Sequence, residues 1–328
     1  MFIYPEVEPE VLSVIHDSTV AIVVGHISPD GDCIHSQISM GKLLQSLSVE
    51  VHLVNAGPFS RKEISQYEPM FSSHIDQQLK DKNPLVVMVD CSTLDRIGYL
   101  GEEIEGLKTL VVDHHASGAR FGDLSYIVPK SFSTTLCIMQ LYKALDVKLT
   151  NEIAKHIFFG LATDTGFMKF IGPYRGETFN LISELVETGV SPNEIFNDME
   201  GGHTLASRRY LGILLASTQA LLDNKVMMCI EEPNQFDKYE PSDRPSDTLY
   251  AQLLGIEGAQ VVLYFKHIKG DTWEVGFRAS HTSLVDVGKI AATFGGGGHR
   301  KAAGATVTIP FDTLKEKLLT LIEEDLSK

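Results

Sequence analysis

"TLVVDHHASGAR", residues Thr109 to Arg120, runs a buried-strand pattern straight into a carboxylate and two imidazoles. The β-branched and aliphatic stretch Thr109–Val112 suits a strand covered on both faces, and Asp113, His114 and His115 stand where that strand ends. Two upstream runs repeat the pattern: "TVAIVVGH" (19–26) and "PLVVMVDC" (84–91). "VEVHLVNA" (49–56) reads as a further strand, and helical patterns cover about Ile34–Leu47, Ser133–Leu145 and Glu152–Ala162. Short apolar runs separated by helices predict an α/β domain with a parallel sheet sandwiched by helices.

The remaining sequence has a different texture. The 328 residues are enough for two domains. The stretch 191–222 lacks strand signals, and Ser191-Pro192-Asn193-Glu194 reads as a capped helix start, so a helical connector is expected there. Beyond it come "KVMMCIEE", a hairpin "QVVLYFKHI–KGD–TWEVGFRAS", a helix from Val285 to Phe294, the run "FGGGGHRKAAGATV" and a closing helix "LKEKLLTLIEEDL". These predict a smaller α/β domain with a mixed sheet. The expected division is 1–190, a metal-binding domain; 191–222, the connector; and 223–328, a substrate-holding domain.

At 43% hydrophobic and 22% charged residues, the chain can fill real cores. A formal net charge of −15 argues against broad binding to long duplex nucleic acid, which relies on many Lys and Arg contacts to phosphate. A short phosphorylated ligand stays open, because bound cations supply positive charge locally. The N-terminus "MFIYPEVEPE" has early acids and no basic region, and no apolar run reaches the roughly 18 residues of a membrane span. A cytoplasmic protein with no membrane partner is expected. Cys33, Cys91, Cys137 and Cys229 are scattered and read as reduced thiols.

In a parallel sheet, ligands bind beyond the carboxyl ends of the strands. His26, Asp30 and Asp32 follow the first strand in "GHISPDGD", Asp90 follows "LVVMV", Asp113, His114 and His115 follow "TLVV", and Asp164 lies in "LATDTG" near a helix end. If the three strands are neighbours, all of these converge. Any one alone reads as a helix cap or a hydrogen-bonded histidine. As a set, the carboxylates would repel one another and take up protons unless divalent cations neutralise them. Carboxylate and imidazole ligands without a thiolate favour Mn²⁺ or Mg²⁺, with Fe or Co as further options, over structural zinc.

His26-x-x-x-Asp30-x-Asp32, Asp90, Asp113-His114-His115 and Asp164 resemble the four motifs of the DHH phosphoesterase superfamily, and "FGGGGHRKAAGA" resembles the signature of the DHH-associated C-terminal domain. The resemblance implies two Mn²⁺ ions bridged by Asp90, with Mg²⁺ or Co²⁺ as substitutes. His26 and Asp30 would complete one ion; Asp32, His114 and Asp164 would complete the other. Asp113 would orient an imidazole, and His115 would face the scissile phosphate or its leaving group. One departure concerns "Asp32-Cys33-Ile34-His35-Ser36", where His35 stands in place of the family's usual small residue. It reads either as an extra contact at the site or as a histidine on the helix surface.

Arg278, Ser280, Gly296, Gly297, Gly298, His299 and Arg300 are the substrate-binding candidates, since glycine amides and a forked guanidinium suit phosphate. Without the resemblance, the glycine run reads as a flexible loop. His16, His52, His74, His156, His203, His267 and His281 lack such context and read as structural. A compact chain with "GGGGHRKAAG" is most similar to the nanoRNase/pAp phosphatase branch of the superfamily. That implies hydrolysis of very short oligonucleotides and of 3′,5′-bisphosphate nucleotides (pAp), and leaves room for a homodimer. The alternatives are a phosphodiesterase for cyclic or linear dinucleotides (c-di-AMP/pApA, pGpG) and a non-catalytic nucleotide-binding regulator.

Overall fold

The computed structural model describes residues 2–91, 93–116, 121–231, 239 and 245–327, so Ser117–Arg120 of the opening stretch lie outside the described residues. Two compact units divide the chain, Met1–Gly202 and His203–Lys328. The stretch 191–222 is shared between them.

The first unit is built on a five-stranded sheet of β1 (Val20–Val24), β2 (Glu50–Val54), β3 (Leu85–Val89), β4 (Thr109–Asp113) and β5 (Leu124–Ile127), in the order β2-β1-β3-β4-β5 and parallel throughout. Its helices are α1 (Pro9–His16), α2 (Gly31–Ser46), α3 (Lys62–Ser65), α4 (Gln77–Lys80), α5 (Leu100–Glu103), α6 (Thr134–Ala144), α7 (Asn151–Asp164), α8 (Gly176–Glu187) and α9 (Pro192–Glu200). Both sheet faces are buried, which explains the unbroken apolar runs. On β1, Ala21 and Val23 enter the core shared with α1, α2, α6 and α7, while Ile22 and Val24 enter a second core with Val54, Met88 and Ile97. β2 pairs with one edge of β1 and β3 with the other, so the strand order reverses at β1. The carboxyl ends of β1 and β3 therefore flank a topological switch point, the expected ligand crevice of an open α/β sheet.

α2 is buried along most of its length, polar residues included. Gln37 accounts for part of this: its amide donates to the Val23 and Val54 carbonyls at 2.9 and 2.8 Å, and its oxygen accepts from Asn55 at 2.8 Å. α2 is thus tied by hydrogen bonds to β1 and β2, with its first turn fixed beside the crevice.

The second unit carries a six-stranded mixed sheet, β10-β11-β9-β8-β7-β6, made of β6 (Gln219–Leu221), β7 (Val226–Glu231), β8 (Val261–Lys269), β9 (Thr272–Ala279), β10 (Gly297–His299) and β11 (Ala302–Thr308). β7 and β8 run parallel and the other pairs antiparallel. Among the described residues its helices are α10 (Leu205–Ala216), α11 (Ser246–Leu254), α12 (Val287–Thr293) and α13 (Phe311–Leu326). β8 and β9 form the expected hairpin, with Gly270 at φ 51° in its turn. α13 buries Leu314, Leu318 and Ile322 as one stripe.

Three strands escape the sequence reading. β5 is only four residues long, and β6, inside the stretch expected to be helical, is three. β10 lies within the glycine run. That run is not a loop: Gly297–His299 pair antiparallel with Ala302–Gly304. The fold itself requires two of its glycines, since a Cβ at Gly296 would lie 2.2 Å from the Gly304 carbonyl and one at Gly298 2.5 Å from that of Ala302. Among the described residues, no helix is long and apolar enough to cross a membrane.

Candidate metal centre

Asp90 follows β3 with φ 58°, in the left-handed region that a short polar side chain tolerates better than most. Its backbone N–H donates to the Val112 carbonyl at 3.1 Å, which fixes the turn against β4. The side chain is 3% exposed and points both ways across the crevice: Oδ2 lies 3.4 Å from His26 Nε2, and Oδ1 lies 3.6 Å from His114 Nε2. On the first side, Asp30 Oδ1 is 3.8 Å from His26 Nε2. On the second, Asp164 Oδ2 and Asp32 Oδ2 are 3.1 and 3.9 Å from His114 Nε2. The structure thus brings His26, Asp30, Asp32, Asp90, His114 and Asp164 together as two groups that share Asp90.

Backbone contacts fix the imidazole tautomers. His26 Nδ1–H donates to the Ile27 carbonyl at 2.8 Å, and His114 Nδ1–H to that of Ser131 at 3.3 Å, so each turns its Nε2 toward the carboxylates, the atom left to bind a cation once its proton is gone. Among the described residues, His114 Nε2 is buried without a hydrogen-bond partner. An unpartnered ring nitrogen surrounded by carboxylate oxygens, most of them beyond ordinary hydrogen-bond distance, is what a divalent cation would satisfy; the donor set therefore fits the implied metals.

Burial and charge set the titration of the group. Burial, reinforced by Asp164 and Asp90, holds the Asp32 carboxyl well above its usual range. Burial likewise raises Asp164, with Asp90 adding to it. Burial would lower His114, but the Asp164 carboxylate 3.1 Å away and the charges of Asp32 and Asp90 raise it to about 10. Burial opposes ionisation of Asp30, yet His26 and the Cys33 N–H bring it down to about 2. The metal-free pocket thus suppresses charge wherever carboxylates crowd together, and added positive charge would relieve that strain.

Asp113 ends β4 at 1% exposure and accepts from His115 Nδ1 at 2.8 Å and from the His114 backbone N–H at 2.7 Å. That hydrogen bond is the main reason the His115 imidazole titrates above its ordinary value. His115 is the most open member of the group, with its side chain 40% exposed and Nδ1 3.7 Å from Asp90.

Two threonines at the start of α6 complete the centre and were missed in the sequence. Thr134 donates its backbone N–H to Asp32 Oδ2 at 2.6 Å and its hydroxyl to Asp90 Oδ1 at 2.9 Å. Thr135 donates both N–H and hydroxyl to Asp32 Oδ1, at 3.1 and 3.0 Å. The helix N-terminus offers free N–H groups and a positive dipole end, so it stabilises a buried carboxylate. The signal available was "FSTT", a Ser-capped helix start whose open N–H groups need an anion. The glycine in the middle of α7 allows the close packing: a Cβ at Gly160 would lie 2.7 Å from Asp32 Oδ1.

His35 corrects one of the two readings offered for it, because it is not on the helix surface. It is 2% exposed, stacks on Phe159 at 4.2 Å between centroids, and places Nδ1 2.8 Å from Nδ1 of His156.

In the second unit, Arg278 lines a cavity of about 610 Å³ together with Tyr250, Lys266, Gly276, Gly296 and Gly304. Its guanidinium carbon sits 4.5 Å from the Tyr250 ring centroid. Among the described residues, Ser280 Oγ is buried without a hydrogen-bond partner. Gly297 is exposed, and a Cβ there would meet nothing within 4 Å among the described residues. His299 and Arg300 are exposed, and Arg300 donates to the Leu284 carbonyl at 3.3 Å.

Residues 20–161 match the model of the DHH family, N-terminal domain, and residues 238–328 that of the DHHA1 domain. A bifunctional oligoribonuclease and PAP phosphatase, NrnA, from Thermus thermophilus is 28% identical over 93% of this chain and 90% of its own. An exopolyphosphatase-related protein from Bacteroides fragilis superposes with a TM-score of 0.82 at 19% identity, covering 96% of this chain and 95% of that one. An exonuclease RecJ bound to manganese superposes with a TM-score of 0.52 at 14% identity, covering 97% and 94%. These likenesses establish a shared two-domain fold.

Proposed function

For a chain built of a DHH family N-terminal domain and a DHHA1 domain, we propose a metal-dependent phosphoesterase that hydrolyses very short oligonucleotides and 3′,5′-bisphosphate nucleotides such as pAp. It is a hydrolase of the DHH phosphoesterase family, and the Thermus relative's name supports both substrate classes. The observation that carries the reading is the placement of Asp90 between two imidazoles, His26 and His114, each with further carboxylates beside it.

In this reading His26, Asp30 and Asp90 would hold one cation and Asp90, Asp32, His114 and Asp164 the other, with Mn²⁺ the favoured pair. When bound, such a pair supplies Lewis acidity and an acidified water for in-line attack on phosphorus. The protein's residues do the rest. Thr134 and Thr135 hold Asp90 and Asp32 in fixed rotamers. Asp113 keeps His115 oriented and raises its proton affinity, so the imidazolium donates a proton to the departing oxygen. In the second unit, Arg278, Ser280, Gly296, Gly297, Gly298, His299 and Arg300 are the candidates for gripping a substrate phosphate. The net charge of −15 suits a short substrate.

A substrate panel tests this directly: pAp, RNA of about two to five nucleotides, pGpG, a cyclic dinucleotide and pyrophosphate, each with and without Mn²⁺. Manganese-dependent release of phosphate from pAp and of mononucleotides from short RNA is expected. Preference for the cyclic dinucleotide would reassign the substrate, and no turnover of any compound by the Mn²⁺-loaded protein would favour a binder.

A further inference from the structure

All four cysteines are buried, and three of them pack as small apolar residues do: Cys137, Cys91 and Cys229 each belong to a hydrophobic cluster. Cys33 belongs to none, although it is fully buried. Its surroundings are polar. Its Sγ and the ligand atoms of His26 and Asp90 all lie within 4.8 Å of one another. The hydrogen bonds open to the thiol are weak, with the His26 carbonyl at 3.9 Å and Gln37 Oε1 at 4.0 Å, and that glutamine oxygen already accepts from Asn55 at 2.8 Å. The fold makes room for the sulfur: a Cβ at Gly25 would stand 2.4 Å from it.

We propose that Cys33 is a further ligand on the His26–Asp90 side of the centre, giving that side a His–Cys–carboxylate set for a thiophilic divalent cation such as Zn²⁺, Cd²⁺ or Co²⁺. This rests on the metal centre proposed above and concerns the chain's own choice of cation. A thiolate is soft and binds these ions well, whereas oxygen-preferring Mn²⁺ gains little from it. Coordination breaks the S–H bond and forms the S–metal bond; the proton leaves to water, and the cation's charge compensates the thiolate. Cys33 also sits in the first turn of α2, whose N-terminal dipole favours a negative sulfur. With Mn²⁺ the thiol stays a neutral neighbour. With a softer ion it closes the coordination set and holds that ion more tightly.

Cobalt is the probe, because sulfur ligation adds a near-ultraviolet sulfur-to-cobalt charge-transfer band to the visible ligand-field bands. The full-length protein loaded with Co²⁺ should show both. Cys33→Ala, or Cys33→Ser should the first variant fail to fold, should keep the visible bands and lose the charge-transfer band; Cys91→Ala should keep both. Zn²⁺ affinity should fall on the order of 10–100-fold or more in Cys33→Ala, since even groups behind a ligand carry that much, while Mn²⁺ affinity holds. Visible bands without the charge-transfer band in the wild type would overturn the thiol's role and leave the metal centre standing. Wild type that binds no cobalt would overturn both.

Discussion

Replacing Asp90 with Asn removes one charge and little else. The amide is isosteric and equally at ease at φ 58°. Thr134 can still donate its hydroxyl to the side-chain oxygen, now 2.9 Å away as Oδ1. The single lost charge acts in opposite directions with and without cations. In the metal-free protein, Asp90 repels Asp32 and Asp164, raising both carboxyls beyond what burial does, and attracts His26 and His114 at 3.4 and 3.6 Å. These effects oppose one another, so the comparison rests on the shift that each protein gains with cations over its own metal-free melting point. With cations the balance changes, because the variant lacks the carboxylate that both groups share. Ions at 100 times their dissociation constant stabilise a fold by about 2.7 kcal/mol, which for a unit of this size is a rise of roughly 5–10 °C in Tm. Wild type should show this rise with Mn²⁺ and Asp90→Asn should lose most of it. Turnover of pAp should fall at least about 10³-fold, roughly 4 kcal/mol of barrier. Thermal scans with and without Mn²⁺, run beside phosphate-release kinetics, measure both. A variant that keeps turnover within about tenfold of wild type, or the full thermal shift, would refute the shared-carboxylate arrangement.

Arg278→Ala should raise KM about 10–100-fold with kcat little changed, as expected for a grip on the substrate's far phosphate; steady-state kinetics with pAp and an unchanged KM would remove it from that role. Thr134→Val keeps the backbone N–H to Asp32 but loses the hydroxyl to Asp90, and should lower kcat about tenfold while the metal-free melting point stays put. The His35–His156 pair sets an acid limit on stability. Burial pushes both imidazoles below their ordinary value of 6.5, His156 to about 4. Their contribution is present above pH 6.5 and is lost as pH falls towards 4, on the order of 3 kcal/mol from His156. The double variant His35→Leu/His156→Leu should flatten that limb in denaturant titrations at pH 7 and pH 5; an unaltered slope would show that the acid limb arises elsewhere.

The anionic and imidazole members of the centre are legible in the chain because each stands at the end of a strand or helix whose own pattern is strong. His26, Asp90 and Asp113 follow or end uninterrupted apolar runs, and parallel strands place such positions at one edge. What stayed hidden depends on tertiary neighbours. Thr134 and Thr135 read only as the first residues of a capped helix, since nothing local says that Asp32, a hundred residues earlier, fills their N–H groups. His35 reads either as an extra contact at the site or as a surface histidine, because its partners, His156 and Phe159, lie on a helix more than a hundred residues on. Cys33 reads as one scattered thiol among four until packing separates it from the apolar three. β5, β6 and β10 are too short to carry a period of two, and the glycines of β10 are set by carbonyls of the neighbouring β11.

Asp164 is the last residue of α7, whereas His26 follows the first strand. Between them lies most of the first unit, and at about 5–20 residues per second a ribosome delivers the two roughly 7–30 s apart. During that interval the emerging polypeptide carries the early acids without the groups that complete their set. On the proposed reading, ion uptake would belong to the end of this unit's synthesis, and a product truncated before α7 would carry the earlier candidate ligands without Asp164.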